Sequence, residues 1–244
     1  MTAEAWALAA LAAVAVGMSK GGLGMVAMIS VPLMALVMSP VQAAGILLPV
    51  YVVSDMGGLI AFRRSFERRA LLTALPGAVA GVALGWATAS LVPERWVAGL
   101  VGLIGAVFAL NGLIRPDSGR ARGPHLGRGS FWGLLAGFTS FVSHSGAPPW
   151  QVYAQPLGLP PLVFAGTTTV FFAVLNAVKL VPYWALGQLD AGNLRVSAVL
   201  VPVAFASVWL GLRLVRIMPP AAFYRFITWA LLLVSLKLLW DAVG

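Results

Sequence analysis

Lys20 stands in the middle of an apolar run, within Ser19-Lys20-Gly21-Gly22-Leu23-Gly24. A charge placed there is costly in hydrocarbon and usually marks a functional site. Gly21, Gly22 and Gly24 would open a half-helix whose N–H groups and positive dipole end attract an anion, and their lack of a side chain lets a ligand reach the backbone. The plainer alternative is a lysine that snorkels to the interface. A second break, Ser143-His144-Ser145-Gly146-Ala147-Pro148-Pro149, interrupts a later apolar run. Ser143, His144, Ser145 and Gly146 offer donors suited to an oxyanion and a second half-helix start. His144 can also take up a proton near neutral pH, or simply bond a neighbouring helix. Two half-helix starts facing each other near a pseudo-symmetry centre would form one anion site.

Further charges lie inside apolar stretches. Asp55 follows Val50-Tyr51-Val52-Val53-Ser54, and Lys179 follows Ala173-Val174-Leu175-Asn176-Ala177-Val178. Lone intramembrane charges are costly, so these two pair with each other or each faces the site, with Asp55 a candidate proton carrier and Lys179 its charge partner. Asn176, Thr167, Thr168 and Thr169 add polar groups near the same depth; Asn176 is read as a substrate ligand, and the bland alternative is helix–helix hydrogen bonding. Trp150 and Tyr153 follow the second break and are candidates for the cavity lining. Ser143-His144 does not make a catalytic pair, because a nucleophile's base is normally distant in sequence. No enzyme is expected.

These residues need a membrane to position them. The chain has 244 residues, 60% hydrophobic and 9% charged, with a mean hydropathy of +0.94. A soluble domain carries about a quarter charged residues. The net charge of +9 would suggest nucleic acid in a soluble protein, but here the basic residues sit between apolar runs and orient the chain. Cysteine is absent and histidine is limited to His125 and His144; neither a cofactor nor a metal is expected. Glu4 stands where a signal peptide would carry a basic residue, so the first segment is read as retained.

The apolar segments fall near 5–38, 41–62, 70–91 and 96–114, then 131–158, 162–187, 194–216 and 221–243. Between them lies a polar linker, Arg115 to Ser130. About eight to ten crossings are expected. Residues 5–38 are too long for one helix in a core of about 30 Å. A broken helix or re-entrant hairpin is therefore expected to open each half, tolerated only where protein or a cavity surrounds it.

The halves overlay. An offset of 124 pairs Ser19 with Ser143, Gly22 with Gly146, Pro32-Leu33 with Pro156-Leu157, and Asp55 with Lys179. An offset of 126 pairs Gly85 with Gly211 and Pro93 with Pro219. Basic residues crowd the gap after the second segment of the first half (Arg63, Arg64, Arg68, Arg69) but the gap after the third segment of the second half (Arg213, Arg216, Arg225). A charge bias that swaps sides fits an inverted repeat, with the linker cytoplasmic and both termini outside. The reading is an all-α integral membrane protein of two inverted repeats, 1–114 and 131–244, each of about four to five membrane segments, joined by a cytoplasmic linker, 115–130.

Gly17-Met18-Ser19-Lys20-Gly21-Gly22-Leu23-Gly24, Pro32, Leu47-Leu48-Pro49, Asp55 and Arg63-Arg64 resemble the first repeat of the TauE/SafE family of sulfite exporters. Gly137-Phe138-Thr139-Ser140, Ser143 through Pro149, Gly166-Thr167-Thr168-Thr169 and Asn176 resemble its second. The resemblance implies a transporter of the bacterial inner membrane that moves sulfite, sulfoacetate or a related sulfur-containing or carboxylate anion outward. Such export needs no ATP, since an inside-negative potential drives anions out, and no GxxxxGK[ST] loop is present. The partners expected are the small anion and membrane lipid; a homodimer is compatible, though no residue demands one. An anion channel, which would share the binding groups but lack gates, is the main rival.

Overall fold

The computed structural model describes residues 2–88, 91, 93–114 and 122–243. Arg115 and Arg120 of the linker lie outside the described residues. Helices make up the chain: α1 (Ala3–Lys20), α2 (Ser30–Ala35), α3 (Pro40–Phe62), α4 (Arg68–Ala87), α5 (Glu94–Ile114), α6 (Leu126–Ser143), α7 (Ala147–Ala154), α8 (Pro161–Ala185), α9 (Ala191–Ile217) and α10 (Pro220–Val243). Short 3-10 helices precede α2 (Gly24–Ile29) and follow α7 (Gln155–Leu157). No strand occurs among the described residues. Seven of the described helices are long and apolar enough to cross a membrane; α6 is not among them.

The starts are written in the sequence. Thr2, Ser39 and Asp190 cap α1, α3 and α9 by accepting first-turn N–H groups, and Pro40 occupies the first turn of α3. These side chains satisfy donors that have no partner within the helix. The end of α1 is equally local. Leu23 donates its N–H to the Met18 carbonyl and Gly22 to the Ser19 carbonyl, with Gly22 at φ +114°. This is a Schellman closure, and only glycine adopts that φ without strain. The expected break is therefore present, as a helix stop followed by short helical pieces. The linker is shorter than expected, because α6 begins at Leu126, capped by the His125 ring.

The chain divides into two compact units, Met1–Phe66 with Ala165–Met218, and Glu67–Phe164 with Pro219–Gly244. Each takes elements from both sequence halves. In the first, α1 packs on α9 and α3. Gly17, Gly21 and Gly211 set the α1–α9 approach: a Cβ on Gly17 would lie 1.9 Å from the Ala204 carbonyl oxygen, and one on Gly211 2.3 Å from that of Met18. Ala9, Ala12, Ala13, Val16, Leu47, Val50 and Leu200 fill the adjoining core.

In the second unit α4 lies along α6. Gly77 and Gly81 on one helix face Gly129, Gly133 and Gly137 on the other, at a spacing of four. Added Cβ atoms on Gly77, Gly81, Gly133 and Gly137 would fall 2.0, 2.1, 2.2 and 1.9 Å from carbonyl oxygens of the facing helix. Between helices in lipid there is little hydrophobic drive, so close backbone packing by small residues does the work. Gly137→Val is accordingly expected to destabilise the protein by about 2–3 kcal/mol or more, since backbone rather than a flexible side chain must move. Thermal unfolding in detergent measures this; an unchanged midpoint would mean the helices are not in contact there.

Candidate functional site

The first unit gathers the charged residues singled out in the sequence. Lys20 is the last residue of α1, where a cation is favoured by the negative end of the helix dipole. It is buried, and its Nζ lies 2.8 Å from Asp55 Oδ1 on α3. The same Nζ sits 5.0 Å from the centre of the Tyr51 ring, one helical turn before Asp55. Asn176 on α8 donates from Nδ2 to Asp55 Oδ2 at 2.7 Å. Lys179, three residues further along α8 and fully buried, interacts electrostatically with both Lys20 and Asp55. Thr169 donates its hydroxyl to the Lys20 carbonyl at 3.2 Å. Tyr51 donates to the Ala27 carbonyl at 3.2 Å, tying the segment after the break to α3.

Sequence reasoning had Asp55 and Lys179 either pair with each other or each face the site. The direct ion pair is instead Asp55 with Lys20, and Lys179 stands in the same cluster. Tyr51 was passed over, although its position four residues before Asp55 places both on one helix face. Ser54 was passed over too: its hydroxyl is buried beside Asp55 with no hydrogen-bond partner.

The glycines of the first break are closely packed. A Cβ on Gly21 would lie 2.2 Å from the Val208 carbonyl oxygen, one on Gly22 2.8 Å from Ala165 Cβ, and one on Gly24 3.1 Å from Thr168 Cγ2. Protein, not an open ligand space, occupies these approaches. Lys20 also lies at the C-terminal end of α1 rather than at a half-helix start, so its positive charge comes from the side chain alone.

The second break lies in the second unit. His144 caps α6 in the left-handed conformation, φ 53°. Asn, Asp and His adopt this conformation more readily than other non-glycine residues. Ser143 donates its hydroxyl to the Thr139 carbonyl at 3.3 Å, Ser145 donates to the Ser143 carbonyl at 3.1 Å, and the Thr139 hydroxyl donates to the Ser145 carbonyl at 3.1 Å. The single Thr139 hydroxyl hydrogen is shared with the nearer Leu135 carbonyl, at 2.8 Å, so the serines and the α6 end are knit mainly to local backbone. Gly146 is the N-cap of α7, and Pro148 and Pro149 remove two of the N–H donors expected from that start. Trp150 and Tyr153 are buried, and the Tyr153 hydroxyl is 2.6 Å from that of Thr73 on α4. Their rings lie 5.8 Å apart, centre to centre, within this unit.

No curated protein and no solved structure matches the chain significantly. A family model described as sulfite exporter TauE/SafE matches residues 9–238, a span that takes in Lys20, Asp55, Asn176, Lys179 and the second break. With its membrane-length helices and a match over nearly its whole length, the chain belongs to the TauE/SafE family of sulfite exporters and is a multi-pass membrane transporter.

Proposed function

We propose that this protein exports a small sulfur-containing anion, such as sulfite, sulfoacetate or a related organosulfonate, across the bacterial inner membrane by alternating access. The observation that carries the reading is the buried Lys20–Asp55–Asn176 cluster with Lys179 at the end of an interrupted helix. An ion pair set this deep is expensive as a structural element, and replacing such pairs with apolar side chains often costs nothing. Retaining two buried lysines and a carboxylate fits a site that takes up an ion. Lys20 and Asn176 are the proposed anion ligands, with Lys179 meeting the first negative charge beside them, and Asp55 is the proposed proton carrier, whose protonation frees Lys20 for a second. Ser143, His144, Ser145 and Gly146 contribute the rim of the second break. The membrane potential drives exit by about 2.3 kcal/mol per charge per 100 mV.

Two inverted repeats joined by a cytoplasmic linker remain the proposed organisation. Equivalent pairings support it. By the sequence offsets α1 corresponds to α6 and α9 to α4, and each unit contains one such glycine-lined pair, α1 with α9 and α4 with α6. The repeats then exchange elements to build each unit.

Proteoliposomes test the transport reading. Uptake of radiolabelled sulfite is expected to saturate and to accelerate when unlabelled sulfite is loaded inside. Flux that rises linearly with concentration and ignores the internal anion would point to a channel instead.

A further inference from the structure

Lys20, Asp55 and Lys179 are the buried charged residues among the described residues. In their ordinary ionised forms they sum to one excess positive charge, two lysines against one carboxylate. The cluster is buried: Lys179 is 1% exposed and Asp55 3%. Uncompensated charge in such a place is costly, so the loaded site favours neutrality. A monoanion supplies that neutrality with Asp55 ionised. A dianion overshoots it, leaving one negative charge, unless one proton enters with it.

We propose that this site selects the charge of its cargo, accepting one negative charge per cycle: a monoanionic sulfonate or hydrogen sulfite alone, or a dianion together with one proton held on Asp55. The inference rests on the transport reading above and adds a charge rule to it. The proton balance is closed: the proton enters on Asp55 from the side on which the dianion binds and leaves with it on the other.

Asp55 is the group placed to hold that proton. Facing it are Lys20 from α1, Tyr51 from its own helix, and Asn176 and Lys179 from α8. The helix α2 has no titratable residue, and Arg195, Arg213 and Arg216 of α9 are exposed. The carboxylate is held by Lys20 on one oxygen and Asn176 on the other. Protonation breaks the ion pair and frees Lys20 for the second negative charge of the cargo.

Charge-altered variants test the rule with two tetrahedral probes, methanesulfonate as monoanion and sulfate as dianion. In the wild type, methanesulfonate flux is expected to need no proton gradient, and sulfate flux to move one proton per anion. Asp55→Asn raises the cluster charge by one; sulfate flux should become independent of the proton gradient and gain at least about tenfold over methanesulfonate. Asp55→Asn/Lys179→Met restores the wild-type sum and should return the preference to methanesulfonate. Because Asp55→Asn alone can fold poorly, the double variant and sulfate-induced thermal stabilisation of the purified single variant provide independent readings. Saturable flux of both anions with the same proton requirement, unaltered by these substitutions, would overturn the charge rule and leave transport standing. Absence of wild-type flux for sulfite, methanesulfonate and sulfate alike would overturn both.

Discussion

Asp55→Ala is expected to destabilise the folded protein by about 3–5 kcal/mol, because it strands Lys20 and Lys179 without a buried carboxylate. The worth of the ion pair itself is a different quantity and is small, since desolvation offsets most of the attraction. Losing one partner is what costs. Asn176 loses its acceptor in the same step. For a chain of this size the effect corresponds to a fall in Tm on the order of 10 °C. Thermal unfolding in detergent reads it directly. Lys20→Met/Asp55→Ala should recover part of the loss, because one stranded charge is removed with its partner. A single variant within about 2 °C of wild type would mean that water reaches the pair and that the cluster is not dry.

Much of the fold was legible in the sequence because a bilayer leaves few choices. Apolar runs of helical length must be helices, and expectations such as 41–62 and 221–243 match α3 and α10 to within one residue. The breaks at Lys20 and His144 were legible for the same reason, since glycine and charge in mid-run had to interrupt something. Partner choice was not legible. The offset equating Asp55 with Lys179 compares positions in two halves of the sequence and says nothing of neighbourhood, and Lys20 reached Asp55 because the Gly22 closure ends α1 beside α3. The close packing at Gly21, Gly22 and Gly24 was not legible, because a glycine that admits a ligand and a glycine that admits a helix look alike in one dimension. The spacing of Gly77 and Gly81 against Gly129, Gly133 and Gly137 was a readable signal of close helix packing that went unused.

Lys20 carries the largest expected effect on activity. Its replacement removes a positive charge and takes the buried cluster from one excess positive charge to a sum of zero, Lys179 against Asp55, so the site loses its net attraction for an anion. The change is one full charge in a site screened from water, which is worth several kcal/mol in an anion's favour or against it. Lys20→Ala is therefore expected to lower flux by about 100-fold or more, while Lys20→Arg, which keeps the charge but not the point geometry, should retain part of it.

The most direct measurement is radiolabelled sulfite uptake into proteoliposomes holding wild type or Lys20→Ala at matched protein content, with voltage and pH gradient set independently. The expected result is saturable wild-type flux, lost in Lys20→Ala although the variant inserts and remains folded. Equal flux from the two proteins would remove Lys20 from the transport path and, with it, the cluster as the place where the anion binds.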